Sequence, residues 1–188
     1  MDLRSSGAVK PDHRREQVWC AETRRRVGRL SRSQVNAAMV TFISHGPEET
    51  TVLGEQWGRE LAAGWIIGLT GALGAGKTQL VQGIARGLGI GARVRSPTFA
   101  LVNEYNDGRV PLAHLDLYRL ETPKQIVAAG LAEYWHRPFG VIVVEWAERW
   151  PDFAWPPAAR VAPVVLRLAR FEQLSETERR ITYEDSGA

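Results

Sequence analysis

The sequence predicts an α/β fold with a mainly parallel central sheet and an antiparallel hairpin at one edge of that sheet. Two short apolar runs, WIIGLTG and GVIVVEW, have the composition of strands that are buried on both faces. The first run leads through a glycine-rich loop into a segment of helical periodicity that begins at Lys77. Two further strand-like runs flank the sequence NDG, whose Asp107-Gly108 pair favours a hairpin. Strand–loop–helix units combined with a hairpin are typical of this fold class.

The elements of the first half are predicted by their start and stop residues. VTFISHG predicts a short first strand. A helix is predicted from Pro47 to about Gly64, because Pro47, Glu48 and Glu49 favour a helix start and a glycine favours a stop. After the glycine-rich loop, five apolar residues recur at helical spacing before Gly89 closes the segment: Leu80, Val81, Ile84, Ala85 and Leu88.

The second half supplies the rest of the sheet. PKQIVAAGL predicts a short helix that begins at Pro123, and the apolar run GVIVVEW carries a carboxylate, Glu145, at its end. Two late runs, VAPVVLRLAR and RRITYE, predict edge strands. No internal repeat or low-complexity linker divides the body of the chain, so one domain is expected over residues 41–184.

The net charge of +3 is distributed unevenly along the chain. Residues 1–45 carry nine Lys or Arg against four Asp or Glu, whereas residues 46–188 carry fifteen against seventeen. The basic segment 1–40 has little apolar periodicity and is predicted to be a disordered tail. A dispensable extension is the favoured interpretation; an RNA-binding arm and an organellar transit peptide are the alternatives, and acidic residues weaken the last. Because the body is nearly neutral, its charge does not predict a nucleic-acid clamp.

Hydropathy and cysteine content argue against a membrane protein, a secreted protein and a disulfide-linked protein. No apolar run approaches the roughly 20 residues that span a bilayer, and the N-terminus lacks the apolar core of a secretory signal. Cys20 is the only cysteine, so neither an internal disulfide nor a thiolate metal site is expected. These features favour a soluble cytoplasmic protein without membrane partners.

The segment from Gly71 to Thr78, GALGAGKT, matches the phosphate-loop pattern G-x-x-x-x-G-K-[ST]. It follows an apolar strand and opens a helix, which is the context that the motif requires. Its glycines allow backbone conformations that a Cβ would block, so successive N–H groups can point at phosphate oxygens near the positive end of the helix. We therefore expect a P-loop NTPase-like three-layer fold whose phosphate-binding residues are Gly71, Gly74, Ala75, Gly76, Lys77, Thr78 and Gln79.

A phosphate loop also requires a carboxylate near the metal ion, and the run VIVVEW supplies Glu145 at the tip of a strand. Glu145 is therefore expected to bind Mg²⁺ together with Thr78, the alternative being an ordinary polar residue that ends a strand. Glu148 follows three residues later and is expected beside the nucleotide or as the cap of a turn. Asp116, in HLDLYRL, is expected to orient a water or to support the metal, unless it caps a helix or forms a salt bridge.

Other segments carry weaker signals. SPTF, at residues 96–99, follows the first helix of the loop unit, where segments that sense the γ-phosphate occur. An N-K-x-D element is absent, so guanine specificity lacks support, and no arginine-rich lid of the small-kinase type is evident. The four histidines lack metal-ligand spacing and are expected to be surface or packing residues: His13, His45, His114 and His136.

Five segments together resemble the bacterial TsaE (YjeE-type) ATPases: GALGAGKTQLVQGIARGLG, VRSPTFALVNEY, LAHLDLYRL, GLAEYW and VIVVEWAERW, in that order. The likeness covers about residues 41–184. It implies an ATPase that uses ATP and Mg²⁺ in the biosynthesis of tRNA threonylcarbamoyladenosine. It also implies a partnership with the TsaD–TsaB complex, which transfers a threonylcarbamoyl group to the adenosine next to the anticodon, so tRNA is met indirectly through that complex.

The resemblance assigns roles to single residues. Asp116 corresponds to the residue required for hydrolysis, Trp146 to a functional neighbour of the metal site, and Thr50 to a threonine near the nucleotide. Lys77 and Glu145 are the other residues implied in catalysis. Gln79 departs from the family pattern, which commonly has a second threonine there.

Hydrolysis is expected to be slow in isolation. No arginine finger is evident from the sequence, and such a residue contributes about 10³–10⁵ in rate. A partner would supply it, or would order the SPTF segment and Asp116.

Two other functions stay open at this point. A small-molecule P-loop kinase is compatible with the phosphate loop, although the sequence offers no lid. A nucleotide-gated module that binds RNA or protein, with negligible catalysis, is compatible with the basic residues 1–40.

Overall fold

The computed structural model describes residues 39–136, 140–150 and 165–186. The strands are β1 Val40–Ser44, β2 Trp65–Thr70, β3 Val102–Tyr105, β4 Leu112–Asp116, β5 Val141–Glu145, β6 Val165–Gln173 and β7 Arg179–Ser186. The helices are α1 Pro47–Glu60, α2 Lys77–Gly87, α3 Pro123–Ala128 and α4 Glu133–His136, with a 3₁₀ turn at Ala147–Arg149. The predicted tail at residues 1–40 lies outside the described residues, apart from its last two, and stays a prediction.

All seven described strands belong to one sheet, in the order β1-β7-β6-β2-β5-β4-β3. The four central strands β6, β2, β5 and β4 are parallel, and β3 joins β4 antiparallel. This arrangement confirms the predicted α/β fold with a parallel centre and an antiparallel hairpin at one edge; β7 and β1 extend the other side antiparallel, so the seven-stranded sheet is mixed. The register pairs Leu69 with Glu145 and Glu145 with Asp116, so the carboxyl ends of β2, β5 and β4 lie side by side.

The central strands are buried on both faces because their side chains alternate between two cores. In β5, Val141 and Val143 pack in the core that α1 and α2 cover, whereas Ile142 and Val144 pack in the core that α3 covers. Every residue of β5 is buried, which explains why its sequence is a continuous apolar run rather than an alternating one. Helices therefore cover both faces of the sheet and form the predicted three-layer fold.

Helices α1 and α2 approach so closely that four glycines lie at their contact. A Cβ on Gly54 would lie 2.3 Å from the Leu80 carbonyl oxygen, and a Cβ on Gly83 would lie 2.1 Å from the Thr51 carbonyl oxygen. Gly58 and Gly87, one helical turn further along each helix, meet backbone atoms in the same way. The two G-x-x-x-G spacings thus face each other, and the absence of side chains lets the two backbones touch.

The prediction that VAPVVLRLAR and RRITYE form edge strands is wrong for the described residues. β6 lies between β2 and β7, and β7 lies between β6 and β1, so β1 and β3 form the edges of the sheet. A charged residue inside β6 is paired within the sheet. Arg167 of β6 donates two hydrogen bonds to Asp185 at 2.6 and 2.7 Å, and its guanidinium carbon lies 4.5 Å from the Trp57 ring.

The hairpin between β3 and β4 is present, but Asp107 and Gly108 lie within a six-residue connection, 106–111, instead of a two-residue turn. The carboxylate of Asp107 accepts hydrogen bonds from the Gly91 and Ala92 amides beyond α2. The connection therefore packs against the end of α2, and tertiary contacts rather than local turn geometry set its length. None of the described helices has the length and apolar character that crossing a membrane would require.

Replacing Gly83 with alanine tests the close contact between the helices. We expect Gly83→Ala to lower the free energy of unfolding by about 1–3 kcal/mol because the new methyl group collides with backbone. That loss occurs although alanine is about 1 kcal/mol better than glycine inside a helix. Urea denaturation measures it, with Gln56→Ala on the exposed face of α1 as the matched control, expected within about 0.5 kcal/mol of the parent. A Gly83→Ala variant as stable as the parent would contradict the contact.

Candidate functional site

The loop between β2 and α2 has the backbone conformation of a phosphate loop. Gly71, Gly74 and Gly76 have φ angles of 128°, 74° and 100°, a region that residues with a Cβ rarely adopt. At Gly71 space is also limiting, because a Cβ would lie 2.5 Å from the carbonyl oxygen of Phe171 on β6. The glycines therefore allow both the turn itself and its close contact with the sheet.

The N-terminus of α2 has amides free to meet an anion. Gly76 is the N-cap residue, no side chain caps it, and the first turn contains no acidic residue. The first amides of a helix have no partner within the helix, and they carry the positive end of its dipole. A phosphate group at this point would satisfy them.

Lys77 is held over the loop by three contacts. Its ammonium nitrogen Nζ donates hydrogen bonds to the carbonyl oxygens of Gly71 and Ala72, at 2.7 and 2.9 Å, and lies 4.1 Å from the centre of the Trp146 ring. The residue is only 4% exposed. Burial lowers the pKa of Lys77 below its usual 10.5, while the negative charges of Glu145, Glu148 and Asp116 oppose that shift. A phosphate anion would compensate the buried charge further.

Glu145 is the centre of a buried hydrogen-bond network. Its Oε1 atom accepts a hydrogen bond from the Thr78 hydroxyl at 2.7 Å and lies 2.8 Å from Nε2 of His114. The carboxylate is buried, and its strand delivers it to the first turn of α2. Both hydrogen bonds are made to Oε1, and none of the described residues donates a hydrogen bond to the other carboxylate oxygen, Oε2.

Asp116 links the SPTF segment to the sheet. Its Oδ2 atom accepts hydrogen bonds from the hydroxyls of Thr98 and Ser96 at 2.5 and 3.2 Å, and its Oδ1 atom accepts one from the Tyr118 amide at 2.9 Å. The register of β4 and β5 places it beside Glu145. The two carboxylates that the sequence singled out are thus neighbours at the carboxyl edge of the sheet.

These groups surround a cleft of about 310 Å³. Among the described residues its lining comprises Leu73, Gly74, Ala75, Gly76, Lys77, Thr78, Gln79, Ser96, Thr98, Asp116, Tyr118, Glu145 and Trp146. The amides at the start of α2 and the Lys77 ammonium group lie on the same side of the cleft. Together they can donate hydrogen bonds to the oxygens of a polyphosphate. The oxygens of Thr78 and Glu145 are the hard ligands that Mg²⁺ prefers, and the remaining ligands in such sites come from phosphate and water.

Most of the predicted site residues meet in this cleft, but three do not line it. Gly71 supports the loop from behind, against β6. Thr50 is buried in α1, where its hydroxyl lies 2.8 Å from the hydroxyl of Ser44. Glu148 is exposed in the 3₁₀ turn and influences the site through its charge on Lys77. Gln79 lines the cleft but donates to the Thr51 hydroxyl at 2.6 Å, which ties α2 to α1.

Sequence reasoning missed three contributors. His114 is fully buried and contacts Glu145, so its assignment to surface or packing residues was incomplete. The signal available was its position two residues before Asp116, which places both side chains on the same face of β4. Tyr118 packs on Trp146 with ring centres 5.0 Å apart, and Leu73 lines the cleft while 71% exposed. Both residues lie inside motifs that the sequence analysis used, GALGAGKT and HLDLYRL, but apolar and aromatic side chains gave no chemical reason to single them out.

A parallel sheet, a phosphate loop between β2 and α2, and a carboxylate at the tip of the adjacent strand define the P-loop NTPase-like class of proteins. Within that class, the family model described as "Threonylcarbamoyl adenosine biosynthesis protein TsaE" matches residues 44–180. The chain belongs to the TsaE family.

Individual relatives and a solved structure agree with this assignment. A protein named tRNA threonylcarbamoyladenosine biosynthesis protein TsaE from a Nostoc species is 51% identical over 123 residues, which cover 63% of this chain and 75% of that protein. The protein of the same name from Bacillus subtilis is 46% identical over 101 residues, 54% of this chain and 62% of the relative. The crystal structure of YdiB from Bacillus subtilis superposes with a TM-score of 0.60 and 31% identity, covering 80% of this chain and 88% of that one.

The environment of Lys77 predicts a pH-dependent stability difference. Because the folded-state pKa is lowered, the unfolded chain binds more protons between that pKa and 10.5, and stability rises with pH across this window. We expect the parent to gain stability relative to Lys77→Met as the pH rises from 7 towards 10. Urea denaturation at both pH values measures the difference, and Lys124→Met, at an exposed position, is the control expected to show none. A Lys77→Met difference that is independent of pH would contradict the burial effect.

Proposed function

We propose that this chain is a Mg²⁺-dependent ATPase in the biosynthesis of tRNA threonylcarbamoyladenosine. The observation that carries the proposal is the 2.7 Å contact between the Thr78 hydroxyl and Glu145 at the N-terminus of α2. It joins a phosphate loop to the strand carboxylate that completes a nucleotide–metal site. Membership of the TsaE family and the names of the relatives support the biosynthetic role.

Binding follows from the groups in the loop. The amides of Gly74, Gly76, Lys77 and Thr78 and the Lys77 ammonium group would hold the β- and γ-phosphates, because both present positive charge to the same cleft. Mg²⁺, when bound, neutralises charge on these phosphate oxygens, and Thr78 and Glu145 would hold it. Lys77 Nζ is already held over the loop by the carbonyl oxygens of Gly71 and Ala72, and phosphate oxygens would take the place of these two acceptors.

Hydrolysis needs a group that orients the attacking water, and Asp116 is the candidate. Its carboxylate lies in the cleft beside Glu145 and is fixed by Thr98, Ser96 and the Tyr118 amide. A carboxylate held by several donors keeps one orientation, so a water bound to it would be aimed consistently. The Ser96 and Thr98 hydroxyls also tie Asp116 to the SPTF segment, which a γ-phosphate in the cleft would contact.

A protein partner is part of the proposal. Among the described residues that line the cleft, Lys77 is the single basic side chain, so charge that develops during phosphoryl transfer lacks an arginine. We propose that the TsaD–TsaB complex completes the site by supplying a cation or by fixing the SPTF segment, and that tRNA is met through this complex in the cytoplasm.

A small-molecule kinase is the less favoured alternative. None of the described helices forms an arginine-rich lid of the small-kinase type. The RNA-binding alternative depends on residues 1–40, which lie almost entirely outside the described residues.

Two substitutions separate binding from hydrolysis. Lys77→Ala removes a charge-assisted contact worth about 1.5–3 kcal/mol, so ATP affinity should fall about 10- to 150-fold in calorimetry. Asp116→Asn keeps the shape of the side chain and one acceptor oxygen for the Tyr118 amide, and its NH₂ group can donate to the Thr98 and Ser96 hydroxyls, but the negative charge is lost. ATP affinity should stay within about threefold while kcat falls about 10²- to 10⁴-fold. Asp107→Asn, in the hairpin connection, is the control and should change neither. Undiminished ATP binding by Lys77→Ala would overturn the phosphate-loop assignment.

Addition of the TsaD–TsaB complex should raise ATP turnover. An arginine finger contributes about 10³–10⁵ in rate, so even partial completion of the site should give a clear increase in steady-state phosphate release. Lys77→Ala with the complex is the control for ATPase activity that does not come from this chain. Fast turnover of the isolated protein, unchanged by the complex, would contradict the proposed partnership.

A further inference from the structure

His114 is a buried polar residue whose hydrogen bonding is incomplete. It lies on β4 with its side chain fully buried. One ring nitrogen, Nε2, lies 2.8 Å from Oε1 of Glu145, but no described residue offers a partner to the other nitrogen, Nδ1. A buried polar atom without a partner disfavours folding, and an apolar side chain of similar size would avoid that cost. Packing alone therefore does not explain a histidine at this position.

The direction of the contact with Glu145 follows from electrostatics. Nε2 must carry a hydrogen, because a bare nitrogen lone pair would face the lone pairs of a carboxylate at 2.8 Å. His114 therefore donates to Oε1, the same atom that accepts from the Thr78 hydroxyl at 2.7 Å. Two donors from two different elements, β4 and α2, converge on a single oxygen.

The convergence restricts the orientation of the Glu145 carboxylate. With Oε1 held from two sides, rotation of the carboxyl group about its last bond would break both hydrogen bonds. Oε2, to which no described residue donates, is consequently the atom left for other ligands. The cleft, which Glu145 and Thr78 both line, is where such ligands would be.

We propose that His114 is a positioning residue that fixes Glu145 so that Oε2 is presented to Mg²⁺. The inference deepens the proposed ATPase function and rests on it. Hydrogen bonds to metal-binding side chains orient them and tune their affinity for the metal, and their removal typically lowers metal affinity about 10- to 100-fold. The role of His114 is thus distinct from that of Lys77 and Asp116, because it is directed at the metal and not at phosphate or water.

The test compares nucleotide binding with and without metal. Calorimetry with ADP is done in EDTA and across a Mg²⁺ titration, for the parent, His114→Leu and His114→Gln. Mg²⁺ is expected to raise the affinity for ADP, and the Mg²⁺ concentration at which half of this rise is reached reports the affinity for the metal. In His114→Leu this concentration should increase about 10- to 100-fold, because Glu145 loses one of its two hydrogen bonds. Affinity for ADP in EDTA should stay within about twofold, since the phosphate loop is untouched. The glutamine amide reaches about as far as Nε2, so His114→Gln should restore most of the Mg²⁺ response.

Thermal unfolding distinguishes this role from a structural one. His114→Leu removes an unsatisfied buried nitrogen but also one hydrogen bond to Glu145; the two effects oppose each other, so the Tm of the metal-free variant should stay close to that of the parent. A lower Tm together with an unchanged Mg²⁺ response, in both variants, would overturn the inference and assign His114 to the fold. Leu112→Val, on the same strand but away from Glu145, controls for general disturbance of β4 and should leave the Mg²⁺ response unchanged.

The same measurements separate the inference from the proposed function. A parent that binds ADP with the same affinity at every Mg²⁺ concentration would overturn the metal site, and the inference with it. A parent that responds to Mg²⁺, with a His114→Leu variant that responds equally, would overturn the role of His114 alone.

Discussion

The parallel register of β2, β5 and β4 brings the phosphate loop and the two candidate carboxylates to the same edge of the sheet. Leu69 pairs with Glu145, and Glu145 pairs with Asp116, so three strands end at the same height. Loops that leave such ends must turn back over one edge of the sheet, which is why the phosphate loop and both carboxylates share a cleft. A slip of one residue in β5 would turn Glu145 to the opposite face, towards α3, and would place an apolar side chain beside Thr78.

Departures from the local preferences of the sequence are concentrated around this cleft. Four buried residues here carry charged or polar side chains, which are normally found at the surface: Lys77, His114, Asp116 and Glu145. Leu101 and Trp146 are the two described non-glycine residues with positive φ, at 67° and 59°, and each adjoins a functional segment. The Leu101 carbonyl oxygen accepts the Asp116 amide at 3.0 Å, and Trp146 packs on Lys77. Strain and burial are tolerated here because they hold reactive groups in place.

Much of the fold could be predicted from the sequence because the parallel strands and the loop have strong local signatures. The apolar run of β5 and the glycines before Lys77 needed no tertiary information. The positions of β6 and β7 did not follow, because the polar residues of β6 resemble those of an edge until Arg167 meets Asp185 and the Trp57 ring. Likewise, His114 and Glu145 are 31 positions apart in the sequence and meet only because β4 pairs with β5. The pattern of residues along a single strand does not predict that pairing.

The glycine contact between α1 and α2 has a mechanical consequence. Where the two backbones touch, at the four glycines, no side chains lie between them that could change rotamer, so sliding of the helices past each other is restricted at these two turns. Side chains do meet elsewhere along the pair, as in the hydrogen bond from Gln79 to the Thr51 hydroxyl, but the glycine contacts resist shear between the helices. We therefore expect the two helices to move as one body, so that access to the cleft changes through movement of the loops around it.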